Sequence, residues 1–488
     1  MSAQPERAPA GAKVVPNRIG VEHVAEGEAS LRVDDPATDE TVAWVPYHGA
    51  AEAREAVDAA AAALPGWRAR PPGERADLLR RFAAAMLQQQ RQLAVELTRE
   101  QGKPLAEAMG EIAYAASFID WSAEEGRRLA GEYQQQAGSD KRMIVMRQAL
   151  GVVAAITPWN FPAAMITRKL GPALAVGCTA VVKPAEQAPL TALALAELAL
   201  AVGIPPGVIN VVTGDADAIG RAWLDDARVR RLSFTGSTEV GRLLVARAAT
   251  HLTRLSLELG GLAPLLVFDD ADLDAAVRGT IVSKFRNAGQ TCICPNRIYV
   301  HAAVHDAYVA KLQAAMASLR MGHGLDEGVH IGPLIDDDAV HKVETHVTDA
   351  RDHGGALVTG GHIVQPRAQL ARRFCEPTLI TGLTPAMAIA REETFGPVVA
   401  VQAFDDEAEA LALANDTPYG LAAYAYTRDL ARALRVAEGL ECGIVGLNDA
   451  AVSNAQAPFG GAKASGWGRE GGKWGVEEYV DVKYVSIG

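Results

Sequence analysis

The sequence predicts an α/β protein with two parallel-sheet α/β domains and a separate β-ribbon. Three observations predict it. The chain has 488 residues, and at roughly 150 residues per domain that length suits about three units with at least two cores. From residue 151 onward, short apolar runs bounded by turns alternate with helical stretches, the texture of parallel strands covered by helices. Just before them, residues 141–150 alternate charged and β-prone side chains (Met143 and Val145 against Arg147 and Gln148), which suits an exposed ribbon rather than a core strand.

Composition narrows the class. Apolar residues make up 49% and charged residues 22%, which excludes global disorder. Lys and Arg number 47 against 59 Asp and Glu, a net charge of −12, and such a surface repels phosphate backbones. Nucleic acid is therefore not an expected partner. Five cysteines, at positions 178, 292, 294, 375 and 442, are too few and scattered for a disulfide scaffold. Cys292 and Cys294 have no matching His or Cys pair, so no metal site is expected. A reducing cytoplasm fits this cysteine usage. No apolar run reaches the ~18 residues of a membrane span. The richest stretch, 188–204, is broken by Glu197 and reads as a buried helix. The N-terminal MSAQPERAPAGAKVVP lacks the apolar core of a secretory signal and reads as a frayed tail.

The elements follow in order. Leu79, Phe82 and Met86 recur at helical spacing, as do Ile112, Ala116 and Ile119, so the N-terminal third carries amphipathic helices. An apolar run at 151–157 precedes a helix near 163–176. A second run at 179–183 precedes a helix to Val202, closed by Gly203 with Pro205 and Pro206 beyond. Runs at 208–213 and 231–235 follow, with a short helix between them and another helix from Thr238. A second α/β stretch starts at Glu258 and shows apolar runs at 265–268, 297–300 and 398–404. The tail at 479–487 alternates again, as a strand completing some other sheet would. Parallel sheets bind ligands beyond the carboxyl ends of their strands. The loops of interest are therefore 157–162, 183–188, 213–216 and 235–241.

Two residues stand out chemically. Cys292 sits in Asn287-Ala-Gly-Gln-Thr-Cys292-Ile-Cys294, a polar, glycine-bearing loop of the kind a reactive thiol needs. Glu258 ends an apolar run and is followed by Gly260 and Gly261. A carboxylate at a buried strand end can have its pKa raised and act as a general base. Taken singly, each also has a plain reading, a small buried hydrophobe and a capping acid.

Together with other motifs they do more. Thr157-Pro158-Trp159-Asn160-Phe161-Pro162, Lys183-Pro184-Ala185-Glu186, Phe234-Thr235-Gly236-Ser237-Thr238 with Gly241, the Glu258 and Cys292 segments, and Glu393-Thr394-Phe395-Gly396-Pro397 occur in one order. In this the sequence resembles the aldehyde dehydrogenase superfamily, from about residue 30 to the end. The resemblance implies a Rossmann-like NAD-binding domain over 1–128 and 150–257. It implies a catalytic domain over 258–461 and an oligomerisation element made of 129–149 and 462–488. A homodimer or homotetramer is expected.

The resemblance also implies roles. Cys292 attacks the aldehyde, the amide of Asn160 and the backbone N–H of Cys292 hold the oxyanion, and Glu258 activates water. Glu470, in Gly468-Arg469-Glu470, relays protons. The cofactor meets Thr157, Pro158, Trp159, Lys183, Pro184, Ala185, Glu186, Gly214, Gly236, Ser237, Gly241, Glu393 and Phe395. A carboxylate at Glu186 accepts from ribose hydroxyls and repels a 2′-phosphate, so NAD is expected over NADP. Arg168, Arg286 and Ser453 match positions that one branch of the family uses to hold the carboxylate of succinate semialdehyde. Arginines suit an anionic tail because their forked donors pair with carboxylates. Glutarate semialdehyde or sulfolactaldehyde would satisfy the same arginines, and Asp449, Ala450 and Ala451 depart from the branch in the loop that carries Ser453. Cys294 resembles the second cysteine of a redox switch. Some relatives serve as non-catalytic binding or structural proteins, and the intact Cys292, Glu258 and Asn160 argue against that role here.

Overall fold

The apolar run that opens the alternation becomes the buried strand Val152–Ile156, at the centre of the first sheet. The computed structural model describes residues 5–25 and 29–488. Val152–Ile156 pairs in parallel with Thr179–Lys183 on one side and Val229–Thr235 on the other. Ile209–Val211 and Arg254–Glu258 extend these two flanks, also in parallel. Strand order thus reverses at Val152–Ile156. The loops leaving it and Val229–Thr235 diverge there and open a crevice at the carboxyl edge of the sheet. Pro162–Val176, which follows the first of these loops, is a helix with every residue buried. A helix enclosed by protein on all sides can be apolar all round, and the two charges it carries, Arg168 and Lys169, need internal partners.

The second sheet runs Ala356–Thr359, Thr378–Thr381, Val398–Phe404, Pro295–His301, Ala263–Val267, Ala422–Tyr426 and Ile444–Leu447. Only the first of these is antiparallel to its neighbour. Its last two strands lie beyond the apolar runs that mark this sheet in the sequence. Ala-Ala-Tyr-Ala-Tyr and Ile-Val-Gly-Leu contain small residues that dilute the β-branched signal. The sheets meet end on. Glu258 closes the last parallel strand of the first sheet, residues 259–262 cross over, and Ala263 opens the second sheet beside Pro295. Cys292 lies just before Pro295, so thiol and acid are delivered to the same seam. A Cβ on Gly261 would stand 2.5 Å from the carbonyl oxygen of Cys292, so only glycine permits that crossing.

The ribbon is a three-stranded antiparallel sheet with Arg142–Ala149 between Glu132–Gln135 and Val480–Ile487. The C-terminal tail therefore pairs within its own chain, from Val480 opposite Ala149 to Ile487 opposite Arg142. Tyr133, Met146, Val482, Tyr484 and Ile487 are exposed on it. Part of the segment grouped with this ribbon belongs elsewhere. Gly466–Trp467 pairs with Arg254–Glu258 and forms an edge of the first sheet. The expected frayed N-terminus is corrected too, for the residues that are described. Glu6 and Ser30 exchange backbone hydrogen bonds of 2.9 and 2.6 Å, and Val15 donates to Trp44 at 2.8 Å. Strand edges there satisfy the tail's polar backbone, a partnership that composition does not reveal. Residues 1–4 of that tail lie outside the described residues. Among the described residues, no helix is long and apolar enough to cross a membrane.

Candidate active site

The loop bearing Cys292 is held in a costly conformation. Asn287 and Ala288 have φ of 52° and 53°, and Gly289 follows at 76°. Non-glycine residues persist there only where the surroundings over-determine them. Here the Asn287 N–H donates to Glu107 Oε2 at 2.7 Å, and its side-chain oxygen accepts from Gln101 Nε2 at 2.9 Å. Its Nδ2 donates to the Asn160 carbonyl at 3.0 Å. Gln290 Oε1 accepts the Ile335 N–H at 2.9 Å. A Cβ on Gly289 would stand 2.2 Å from Gly396 O. Cys292 is half-buried on this loop. Burial, then the negative charge of Glu393, pushes its thiol up to about 12, against the pull of Arg168. The resting group is a thiol that must lose its proton as it attacks.

Asn160 Nδ2 donates one hydrogen to Gln290 O at 3.0 Å, which leaves its second amide hydrogen for a ligand. Its Oδ1 is buried without a partner. Glu258 is buried with neither carboxylate oxygen hydrogen-bonded. Burial and the nearby charge of Glu470 hold its carboxyl well above the ordinary value, although Arg168 and Lys169 oppose this. Glu470 goes the other way. Burial would raise it, but Lys169 Nζ at 2.5 Å and Arg168 Nε at 2.8 Å keep it below the ordinary range. Lys169 also donates to Ser233 Oγ at 3.0 Å and Thr235 Oγ1 at 2.7 Å. The two acids are thereby shifted in opposite directions, Glu258 upward and Glu470 downward.

These groups border a cavity of about 340 Å³ whose wall includes Trp159, Asn160, Glu258, Cys292, Glu393 and Phe395. Pro158, Gly236 and Ser237 also line it. Lys342, Asp336 and Asp338 complete the wall from the second sheet's side, and no motif in the sequence marked them. Phe395 meets Trp159 edge to face at 5.5 Å. The Gly261 N–H donates to Glu393 Oε1 at 3.3 Å, and desolvation raises the Glu393 carboxyl to about 7. The helix Thr238–Ala248 starts at the crevice, with Ser237 as its cap and Gly241 against Leu259. Lys183 and Glu186 form an ion pair at the next strand end, and Thr157 Oγ1 is buried without a partner. A helix N-terminus for a pyrophosphate, an under-bonded Glu393 for sugar hydroxyls and a crevice at the strand-order reversal fit a dinucleotide.

Several expected contacts lie off this wall. Thr157, Lys183, Pro184, Ala185, Glu186 and Gly241 shape the adjoining strand ends rather than lining the cavity. Gly214 lies off this wall as well. A Cβ there would stand 2.1 Å from the His48 carbonyl oxygen, so this glycine admits the backbone of His48, with which it forms a β-bridge.

The three residues expected at the substrate's tail are divided. Arg286 and Ser453 share a second cavity of about 500 Å³ with Tyr114, whose hydroxyl is hydrogen-bonded to Ser453 Oγ. Among the described residues Arg286 has no ion pair, and its guanidinium lies over Phe161 at 4.6 Å. Arg168 does not line that cavity. It is buried 3.8 Å over the Phe459 ring and paired with Glu470, with Nη2 left without a hydrogen-bond partner. Tyr114 shares a helix with the Ile112 stripe, and nothing local distinguishes it from a core aromatic. Cys294 is buried, donates to Gly289 O at 3.3 Å and accepts from Lys284 Nζ at 3.5 Å. All five cysteines are free.

Comparison with known proteins extends this picture. Residues 23–485 match the aldehyde dehydrogenase family. The chain is 55% identical over 462 residues to the Escherichia coli K12 protein named succinate-semialdehyde dehydrogenase [NADP(+)] GabD, covering 95% of each. It is also 55% identical over 464 residues, again 95% of each, to a glutarate-semialdehyde dehydrogenase of Pseudomonas aeruginosa. The solved succinate-semialdehyde dehydrogenase of Burkholderia pseudomallei superposes with a TM-score of 0.95 at 53% identity, covering 99% of both chains. Motif order, site geometry and full-length similarity agree: this chain belongs to the aldehyde dehydrogenase family and is an NAD(P)-dependent aldehyde dehydrogenase.

Proposed function

We propose that the protein oxidises succinate semialdehyde to succinate with NAD, through a thioester on Cys292. One juxtaposition carries this reading. Cys292, Asn160 and Glu258 border one cavity, while the loop that bears Cys292 also bears the unpaired Arg286, beside Ser453 and Tyr114. Nucleophile and tail receptor are thus fixed to one rigid segment, as orientation requires.

The chemistry follows from the chain's own groups. Cys292 Sγ bonds to the carbonyl carbon as its S–H bond breaks and the proton passes to solvent, and the new oxyanion accepts hydrogen bonds from the free Asn160 amide hydrogen and the Cys292 N–H. Each well-placed donor of this kind contributes about 3–4 kcal/mol. A nicotinamide held beside Cys292 by Glu393 and Phe395 would supply the hydride acceptor through which the carbon is left as a thioester. Glu258, once deprotonated, takes a proton from water, whose oxygen displaces Sγ and frees the acid. We assign Glu470 the onward relay, since Lys169 and Arg168 keep it charged beside Glu258. Residues 1–128 and 150–257 supply the cofactor crevice in this assignment, and 258–461 the thiol.

Glu186 supports NAD over NADP. At ~4 Å and an effective dielectric near 20, one unit-charge repulsion of a 2′-phosphate is about 4 kcal/mol before relaxation. Lys183, the nearby cation, is already paired with Glu186. Glu186→Ser therefore raises the ratio of kcat/KM with NADP to that with NAD by about tenfold or more. An unchanged ratio in initial-rate measurements would show that another residue sets the choice.

A second reading, glutarate semialdehyde, is favoured by the Pseudomonas aeruginosa relative and by the altered 449–451 loop beside Ser453. The test compares kcat/KM for succinate semialdehyde, glutarate semialdehyde and butyraldehyde in wild type and Arg286→Ala. A charge-assisted hydrogen bond is worth about 1.5–3 kcal/mol. The variant should lose about ten- to hundredfold on the anionic aldehydes, mostly in KM, and almost nothing on butyraldehyde. Equal losses on all three would remove Arg286 from tail recognition.

The remaining assignments are physical. A ribbon with exposed apolar side chains and two open edges, in a chain whose second sheet also ends on the open strand Ile444–Leu447, supports a homodimer or homotetramer. Free cysteines suit a reducing cytoplasm. A regulatory bond from Cys292 to Cys294 would first require Cys294 to leave Gly289 O and Lys284.

A further inference from the structure

The most deeply buried ion pair among the described residues stands beside the reaction centre, and no step above uses it. Lys103 Nζ lies 2.5 Å from Glu111 Oε2, and both side chains are 0% exposed. Burying two charges is costly and is not by itself a source of stability. This pair is nonetheless fully engaged. Lys103 Nζ also donates to the main-chain carbonyl of Asn160 at 2.7 Å and sits 3.9 Å over the ring of Phe161. Glu111 Oε1 accepts the N–H groups of Ala163 at 2.9 Å and Ala164 at 3.3 Å. Those are orphan donors at the start of Pro162–Val176, where an acid satisfies them and suits the helix dipole.

The contacts all grip one short stretch, residues 160–164, from the same 101–111 segment whose Gln101 and Glu107 hold Asn287 of the cysteine loop. The Asn160 carbonyl receives two donors, Lys103 Nζ and Asn287 Nδ2. Its side-chain amide is tied at the other end to Gln290 O. Lys103 itself follows Gln101, whose amide oxygen accepts the Lys103 N–H at 3.1 Å and whose amide nitrogen donates to Asn287. One network therefore joins the helix that carries Arg168 and Lys169, the Asn160 loop and the Cys292 loop.

We infer that Lys103 and Glu111 are positioning residues for Asn160, locking its peptide so that the free side-chain N–H is held ready for the oxygen of the aldehyde on Cys292. This rests on the reading of Asn160 as the oxyanion donor. Preorganised donors are effective because they need not reorient as charge develops.

The test is a cycle between Asn160→Ala and the charge-balanced pair Lys103→Met with Glu111→Gln, which keeps packing volume and the acceptor for Ala163. The pre-steady-state NADH burst with succinate semialdehyde is measured for wild type, each variant and their combination. Cys292 alkylation by iodoacetamide, which builds no oxyanion, is measured alongside. The paired variant should slow the burst by about ten- to hundredfold while alkylation stays within about twofold, and should cost nothing further on Asn160→Ala. An unchanged burst, multiplying losses in the combination, or alkylation slowed in step overturns the positioning role. If Asn160→Ala alone leaves the burst intact, the Asn160 reading falls and this one with it. Glu111→Gln alone, which disturbs packing least, is read in the same cycle should the paired variant fold poorly.

Discussion

If Cys292 is the nucleophile proposed above, Cys292→Ala enzyme is expected to bind the dinucleotide but to give no burst of its reduced form with any aldehyde, a loss on the order of 10⁴-fold or more in kcat. The size follows from the site. In the proposed mechanism, loss of the sulfur leaves Asn160 and the backbone donor no tetrahedral oxyanion to stabilise and Glu258 no thioester to hydrolyse. The three act as a unit, so removing the nucleophile removes most of what the others contribute. Cofactor quenching of protein fluorescence, measured beside the burst, separates this from misfolding. A residual burst above about one per cent would mean that hydride leaves without a covalent adduct.

Glu258→Gln has the next largest effect, and it splits the reaction. Acylation does not need the base at this position, so one burst of NADH survives. Turnover then falls by about 10²–10⁴-fold as the thioester accumulates. Its pH dependence follows from the direction of the shift. Burial and Glu470 hold the Glu258 carboxyl above its ordinary value, so the folded enzyme keeps that proton at pH values where a solvated glutamate has lost it. The basic form appears only as pH rises through the raised value, and a deacylation-limited kcat climbs with it. In Glu258→Gln that limb is flat. The same shift affects folding. Between the ordinary carboxylate value and the raised one, the folded state binds more protons than the unfolded chain, so this group's contribution to stability falls as pH rises. Rate profiles of the two proteins that coincide in shape would exclude Glu258 as the titrating base.

Much of this architecture is legible along the chain because its signals are local. The apolar runs at 151–157 and 179–183 become Val152–Ile156 and Thr179–Lys183, and Gly203 ends its helix, because period and turn chemistry are written within a few residues. The loops at 157–162 and 235–241 flank the crevice, since parallel topology puts strand-end loops together. What stayed hidden depends on residues distant in sequence. Arg168 reads as a receptor for an external anion, yet Glu470 occupies it, and no local pattern records that pairing. No motif marks Lys103 and Glu111 in the sequence, and only the packing of distant segments around them shows that they are internal. The alternating tail reads as a strand in search of a sheet. Its register against Arg142–Ala149 is set by long-range pairing. Gly214 stands in a strand-end loop by position, and only the packing shows that it also admits the backbone of His48.

In the proposed reaction an anionic aldehyde becomes a thioester on one particular sulfur. Glu258→Gln enzyme mixed with NAD and succinate semialdehyde, quenched in acid after the burst and mapped by peptide mass spectrometry, tests it directly. A succinyl group is expected on Cys292, in amount equal to the NADH formed, and on neither Cys294 nor any other residue. NADH formed without that adduct, or an acyl group carried elsewhere, would contradict it.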